Sequence, residues 1–311
     1  MSRTPRYFGL DTVMVDMVLR IEQLPEAGGD AVVSERLVTA GGGFNAMSAA
    51  VRQGMDVTYL GQLGTGPFAD IARECLEHEG IGLPVKSREG VDLGVCIVLV
   101  EANGERSFVT SPGAEGTVSA QELSGVEVRD GDYVSFSGYN FVYPGMCVEM
   151  LAWLRTLSPG VLVAFDPGPR VLDIDASVLH EVLERTDWLL CNETEAMALT
   201  RAASRDDAVH QLTGTSPRRG VVVRSGSRGC IVARAGAEPI EIAGVETTVV
   251  DTNGAGDVHN GVFLAELARG TELHEALARA NIAAAVAISV LGPATCPTRD
   301  VVSQRLTALA K

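Results

Sequence analysis

Lysine is almost missing from this chain. Of its 25 basic side chains only Lys86 and Lys311 are lysine, set against 40 acidic ones for a formal net charge of −15. Neither lysine stands in a GxxxxGK[ST] setting, which excludes the nucleotide-binding loop built on that pattern. The acidic balance disfavours general nucleic-acid binding and anionic membrane surfaces, both of which favour basic faces. An anionic small ligand stays open, because a local site can oppose the net charge. The six cysteines (75, 96, 147, 191, 230 and 296) form no CxxC pair and have no histidine at metal-ligand spacing. Neither a structural zinc nor a disulfide framework is therefore expected. The longest apolar-rich stretch, 282–291, is too short to span a bilayer. Residues 1–11 lack a basic region followed by an apolar core, so no secretory signal is visible. A soluble cytoplasmic protein is the expectation. Its 311 residues suffice for a substantial core, in one large α/β domain or two ordinary ones.

What is present centres on DTNGAGDVHNG, residues 251–261. Residues 247–250 (TTVV) read as a β-branched strand, and VFLAELARG after the motif reads as an apolar helix ending at Gly270. Glycines at the start of a helix let backbone N–H groups approach an anion, and the helix N-terminus adds partial positive charge. Asp257 would then stand beside a bound phosphate. A carboxylate in that place is repelled by the anion unless it has a task, such as accepting a proton from an attacking hydroxyl. The same residues also describe a glycine-rich turn with Asp257 as a helix cap.

Strand-like and helix-like runs alternate from about residue 40 onward. Strands are predicted at 57–60, 133–137, 161–165 and 188–190, followed by helices over 68–79, 145–157, 175–185 and 193–200; 221–224 and 229–233 read as a β pair. Repeated βα units argue for a mainly parallel sheet with helices on both faces, whose ligands bind beyond the carboxyl ends of the strands. Asp166, Asn192, Gly226 and the Asp257 loop all fall just past a strand end. Segments 12–43 and 92–114 break the rhythm with strand patterns that lack a helix between them, and Asn103-Gly104 between β-rich runs is a hairpin signal. They predict a small separate sheet acting as a lid on one domain of residues 1–311.

Taken together, these motifs resemble the ribokinase-like (PfkB) family of carbohydrate and nucleoside kinases. DTNGAGD is similar to the family's C-terminal DTxGAGD pattern, AGGGFNAMSAAVRQG (40–54) to its GGxGxN helix start, and LLCNETEAMALT supplies an NxxE element as Asn192 and Glu195. VVVRSGSRGC resembles the nucleotide-contacting strand and turn. The resemblance implies a three-layer αβα sandwich and transfer of the ATP γ-phosphoryl group to a sugar or nucleoside hydroxyl. Asp257 matches the general base, and the N–H groups of Asn253 to Gly256, with Gly254, Ala255 and Gly256 at its centre, match the anion hole. Asn192 and Glu195 match residues that organise Mg²⁺, although Asn at a helix start with Glu three residues on is also a capping box. Arg224, Gly226, Ser227 and Gly229 match the turn beside the nucleotide, and Asn281 the adenine pocket. Asp251 and the loop 290–296 match a K⁺ site found in many relatives. For the acceptor, Asp16, Gly41, Gly42 and Asn45 match sugar contacts, with Asp11 a competing candidate, and Asp plus Asn supplies both acceptors and donors to a polyol. A homodimer through the lid is expected, since projecting strands leave edges and apolar faces that a second copy can cover.

Several positions depart from the commonest pattern. Gly42 replaces a frequent lysine, Asp257 is followed by Val258 and His259, and Gly168 replaces an Asn in FDPGPR, leaving Arg170 as a possible anion contact or a surface ion pair. Tyr139, Asn140 and Tyr143 fall where the acceptor wall belongs. They are able to stack a nucleobase or pack the lid, so a nucleoside kinase stays beside the sugar kinase, with a non-catalytic sugar or nucleotide sensor as the rival from another class. A dehydrogenase is disfavoured because GQLGTG (61–66) lacks the GxGxxG spacing.

Overall fold

The protein is seen as a computed structural model that describes residues 3–215 and 219–309. Six strands come from the first part of the chain: β1 (Arg6–Gly9), β2 (Val13–Arg20), β3 (Glu35–Gly42), β4 (Asp56–Tyr59), β5 (Val95–Val100) and β6 (Arg106–Ser111). Six more follow: β7 (Tyr133–Ser137), β8 (Leu162–Asp166), β9 (Trp188–Asn192), β10 (Gly220–Arg224), β11 (Cys230–Ala233) and β12 (Ile240–Ile242). They form an eight-stranded sheet in the order β12-β11-β10-β9-β8-β7-β1-β4 and a four-stranded one in the order β3-β2-β5-β6. The large sheet is parallel from β4 to β10 and turns antiparallel at β11 and β12.

Alternation along the strands makes this a three-layer structure. In β9, Trp188 and Leu190 point into one apolar cluster while Leu189 and Cys191 point into another. Helices Phe44–Arg52, Pro67–His78, Ala255–Arg269 and Leu273–Ala287 supply the first cluster; helices Pro144–Leu154, Ala176–Arg185 and Glu193–Thr200 supply the second. Strands buried on both faces read as continuous apolar runs, which is why VVVR and WLLC carry no polar alternation. Among the described residues no helix is long and apolar enough to cross a membrane.

The small sheet is built from the two segments that broke the βα rhythm, and the Asn103-Gly104 turn closes the β5–β6 hairpin with Gly104 at φ +86°. One expectation fails. Residues 247–250 form no strand: Val249 and Val250 are exposed, and the N–H of Val250 goes to the carbonyl of Ile288 at the end of a helix. β-branched composition favours extended backbone, but a strand also needs a neighbouring ladder, and the chain has already left the sheet edge at β12.

Asp132 staples the start of the sheet. Fully buried just before β7, it accepts from the backbone N–H of Arg6 (2.9 Å) and Arg129 (3.1 Å) and from the guanidinium groups of Arg3 (2.6 Å) and Arg6 (3.0 Å). Burial opposes its charge, but these donors outweigh it and hold the carboxyl below its usual range. Asp132→Ala should cost about 1–3 kcal/mol at neutral pH in urea unfolding. That cost should shrink as pH falls through the folded pKa, where the wild-type carboxylate is itself protonated.

Candidate active site

Beyond the carboxyl ends of the parallel strands lies a cavity of about 440 Å³. Asp11 follows β1, and Ser137, Asp166, Asn192 and Arg224 are the last residues of β7, β8, β9 and β10; all five line it. The small sheet adds Met14, Asp16, Val98, Phe108 and Thr110 to the same wall.

The glycine-rich loop enters the cavity at the start of helix Ala255–Arg269. Gly254 precedes that helix at φ +72°, a left-handed conformation that side chains disfavour. Among the described residues the N–H groups of Gly254, Gly256 and Asp257 donate to no protein acceptor, and that of Ala255 reaches only the carbonyl of Thr252, at 3.3 Å. Unpaired N–H groups at a helix N-terminus form a ready anion site. The Asp257 side chain does not cap the helix. It is half-buried on the cavity wall and accepts from Asn45 Nδ2 at 3.2 Å. Burial pushes its carboxyl up to about 7; the charge of Asp166 adds to this, while Asn45 and Arg224 oppose it.

A polar network that the sequence did not disclose lies beside the loop. Arg224 donates to Asp166 Oδ2 at 3.0 Å and to Asn260 Oδ1, and Asn260 Nδ2 donates to the same Asp166 oxygen at 2.7 Å. The guanidinium packs against the Cα of Gly256, where an added methyl would meet it at 3.3 Å. Asn260 sits one helical turn after Gly256, and that spacing was the available signal. Ser135 was also missed: its hydroxyl donates to Asp11 Oδ2 at 2.9 Å, and a polar residue inside the otherwise apolar YVSF run was the clue.

Both acceptor candidates reach the cavity. Asp16 is held near Asn253, at 3.5 Å, and burial raises its carboxyl to about 6. Asp11 is raised to about 6 by the same cause, and its Oδ1 is buried without a protein partner. Gly42 and Asn45 line the wall, whereas Gly41 lies behind Asp16.

Asn192 and Glu195 form a reciprocal capping box, Oδ1 accepting from the N–H of Glu195 (2.9 Å) and Oε2 from the N–H of Asn192 (2.8 Å), and both line the cavity. Glu195 Oε1 makes no hydrogen bond among the described residues, and burial, with the charge of Asp166, raises the carboxyl above its usual range. One carboxylate beside open space suits Mg²⁺, which keeps several waters and takes few protein ligands. Capping and metal holding are thus compatible here.

Other candidates fall elsewhere. Gly226 and Ser227 are exposed on the turn after Arg224, Gly229 is packed against residues 242–244, and Asn281 is buried, donating to the carbonyls of Ile242 and Ala243. None of these four lines the cavity. His259 is buried off the cavity, and desolvation lowers it to about 3, so it stays neutral. Arg170 pairs with Asp173 at 2.8 Å on the surface. Tyr139 and Tyr143 do line the wall, while Asn140 is buried and donates to the carbonyl of Leu10.

Asp251, the candidate for a monovalent-cation site, already has protein donors on both carboxylate oxygens. Its Oδ1 accepts from the N–H of Asn253 (2.8 Å) and from Arg106, and its Oδ2 accepts from the N–H of Gly292 (2.9 Å). In the 290–296 loop, the carbonyls of Ala294 and Cys296 accept from Arg52 at 2.7 and 2.8 Å. Guanidinium groups thus already engage Asp251 and two carbonyls of this loop.

The model of the pfkB family carbohydrate kinases matches residues 8–300. The chain belongs to this family. It is a phosphotransferase that acts on a sugar hydroxyl. It is 31% identical over 295 residues to the uncharacterized sugar kinase YegV of Escherichia coli, covering 92% of this chain and 89% of that one. It is 30% identical over 296 residues to an ATP-dependent ribose-1-phosphate kinase of Halopiger xanaduensis, covering 94% and 95%. Among solved structures, a ribokinase of Giardia lamblia superposes with a TM-score of 0.85 at 20% identity, covering 99% of this chain and 100% of that one. A ribokinase of Arabidopsis thaliana complexed with ribose and ATP gives 0.79 at 22%, covering 98% and 99%. These likenesses show the shared ribokinase-like fold.

One substitution tests whether Asp16 belongs to the acceptor end of this kinase. A methyl on Gly41 would stand 2.2 Å from Asp16 Oδ2, so the carboxylate must turn away. Gly41→Ala should raise the acceptor KM roughly 10- to 100-fold, the scale of one charged hydrogen bond. Steady-state kinetics should find the nucleotide KM unchanged.

Proposed function

We propose that the protein transfers the γ-phosphoryl group of ATP to a hydroxyl of a small uncharged sugar, with Asp257 as general base. The observation that carries this is the meeting of a carboxylate raised to about 7 with three unpaired N–H groups on one cavity wall. The acceptor oxygen forms a bond to the γ-phosphorus while its proton passes to Asp257. The bond from the γ-phosphorus to the β–γ bridging oxygen breaks, and ADP leaves with that electron pair. The N–H groups of the 254–257 loop oppose the charge on the transferring group, and Arg224, held by Asp166 and Asn260, adds a fixed positive charge beside Gly256. Glu195, seated by Asn192, would hold Mg²⁺ through water. When bound with the nucleotide, the ion supplies further charge neutralisation at the phosphates.

The cavity's charge bears on the acceptor. Among its described lining residues, the carboxylates of Asp11, Asp16, Glu115, Asp166, Glu195 and Asp257 face a single cation, Arg224. Arg224 sits at the phosphate end, so the acceptor end offers carboxylates and apolar surface. This favours a neutral polyol over a sugar acid or a phosphorylated sugar such as ribose 1-phosphate, despite the name of the Halopiger relative. The aromatic faces of Tyr139, Tyr143 and Phe108 support a nucleoside as the second reading. An ADP-release screen across pentoses, hexoses, sugar acids, ribose 1-phosphate and nucleosides tests both; turnover of only charged acceptors would defeat them. The small sheet, as a lid, also exposes Phe108 and Val109 on β6, which we read as a surface for a second copy; a monomeric mass at micromolar concentration would count against it.

Asp257→Asn should lower kcat about 10²- to 10⁴-fold while leaving ATP binding by calorimetry intact. The same variant should be more stable. A carboxyl raised from its usual 3.8 to about 7 contributes full stability below the lower value and loses it as pH rises through the higher one. The gain in Tm for Asp257→Asn should therefore grow from acid to neutral pH and level off above about 7.

The pH profile gives an independent reading. Log kcat/KM should rise with unit slope to a break near 7, because only the ionised carboxylate accepts a proton. Asn45→Ala removes a bond that lowers this pKa, so the break should move to higher pH.

A further inference from the structure

Asp251 stands at the base of the anion-hole loop, 4% exposed, two residues before Asn253 and six before Asp257. A bare carboxylate there would oppose any anion on the loop's N–H groups. Its charge is matched by Arg106, the first residue of β6, which lies 145 residues earlier in the chain. Arg106 is itself only 18% exposed in its side chain, and its second terminal nitrogen donates to Thr252 Oγ1 at 3.1 Å. One guanidinium thus grips two successive residues at the root of the loop, and it does so from the small sheet. Across the same root, Arg52 holds the carbonyls of Ala294 and Cys296 while paired with Glu79. The N–H of Ala294 in turn reaches Asn45 Oδ1 at 2.9 Å, and Asn45 contacts Asp257.

We propose that Arg106 is a positioning residue for phosphoryl transfer: a built-in cation that takes the place of a free monovalent ion at Asp251 and fixes the anion hole only when the small sheet is docked. The inference rests on the reading of residues 254–257 as an anion hole. A guanidinium suits the task because it is planar and always charged, and it donates in two directions at once. Two consequences follow from the geometry. Both Asp251 oxygens already accept from Arg106 or from backbone N–H groups, so the wild-type rate should not depend on which monovalent cation is present. Loss of Arg106 should leave a hole of guanidinium size next to a buried carboxylate, which a small cation can enter.

The test begins with the wild type in K⁺, Na⁺ and tetramethylammonium buffers of equal ionic strength, with kcat expected to agree within twofold. Arg106→Ala should lower kcat roughly 10²-fold, the cost of a loop displaced by about 1 Å, with a much smaller change in acceptor KM. Guanidinium chloride, well below denaturing concentration, should restore a tenfold or greater share of that loss in the variant and none in the wild type, with urea as control. Arg106→Lys, which keeps the charge but loses the second donor direction, should fall between. Severalfold K⁺ activation of the wild type would overturn the proposal. So would full activity of Arg106→Ala in tetramethylammonium, or a variant with native Tm that neither guanidinium nor K⁺ rescues. Should Arg106→Ala fail to fold, the wild-type cation series and Arg106→Lys still decide. If the wild type turns over none of the acceptors in the screen, the proposed acceptor class fails separately. Calorimetry with a non-hydrolysable ATP analogue then tests Arg106 alone: affinity in wild type should be indifferent to K⁺, and in Arg106→Ala weakened and recovered by guanidinium.

Discussion

The site depends on keeping carboxylates charged next to a place where more negative charge must arrive. Asp257 stands on the wall of a cavity shared with Asp11 and Asp166, and both raise its pKa. What opposes this field is small and fixed: three free N–H groups at one helix start and one guanidinium. Neither can wander, because each is held by other groups. Arg224 is clamped by Asp166 and Asn260, and burial, which works against its charge, is outweighed by Asp166 and Glu195. The balance leaves Asp257 near neutrality, where a carboxyl is a better proton acceptor than an ordinary one and is still ionised at working pH.

Packing delivers that arrangement. Helices Phe44–Arg52 and Ala255–Arg269 cross so closely that a methyl on Gly261 would lie 2.1 Å from the carbonyl oxygen of Ala46. Only glycine permits the approach, and the approach brings Asn45 within 3.2 Å of Asp257 across 212 residues of chain. The two glycine-rich motifs, far apart in sequence, are thus two sides of one contact. The sheet does the rest: because its parallel strands all end on one rim, Asp166, Asn192 and Arg224 arrive together without long loops.

Local signals reported local structure well. Strand Tyr133–Ser137 and helix Glu193–Thr200 have the bounds that their composition and caps predict, and the Asn-Gly turn formed its hairpin. What a single segment does not disclose shares a cause. Residues 247–250 had the composition of a strand and no partner, and partnership is not written in a single segment. The turn 226–229 and Asn281 lie outside the enclosed cavity, because depth along the rim is a tertiary property. Asn260 and Ser135 escaped notice because one polar residue in an apolar run is ordinary until its neighbours are known.

Arg106 marks the limit of such reading most clearly. In the sequence it is one of 23 arginines in a hairpin after Asn103-Gly104, with the look of an edge-strand charge that keeps β6 from pairing wrongly. In space it reaches from the small sheet to the loop before helix Ala255–Arg269 and balances a buried carboxylate. A tethered cation differs from a dissolved one in a way that matters for the fold. Its local concentration is set by the chain and not by the medium, so the site no longer samples the ionic surroundings. It samples instead the position of the strand that carries the charge. The small sheet also contributes Asp16, Val98 and Phe108 to the cavity wall. On the proposed reading, covering the acceptor and completing the root of the anion hole are then one structural event, linked by a side chain that donates in two directions.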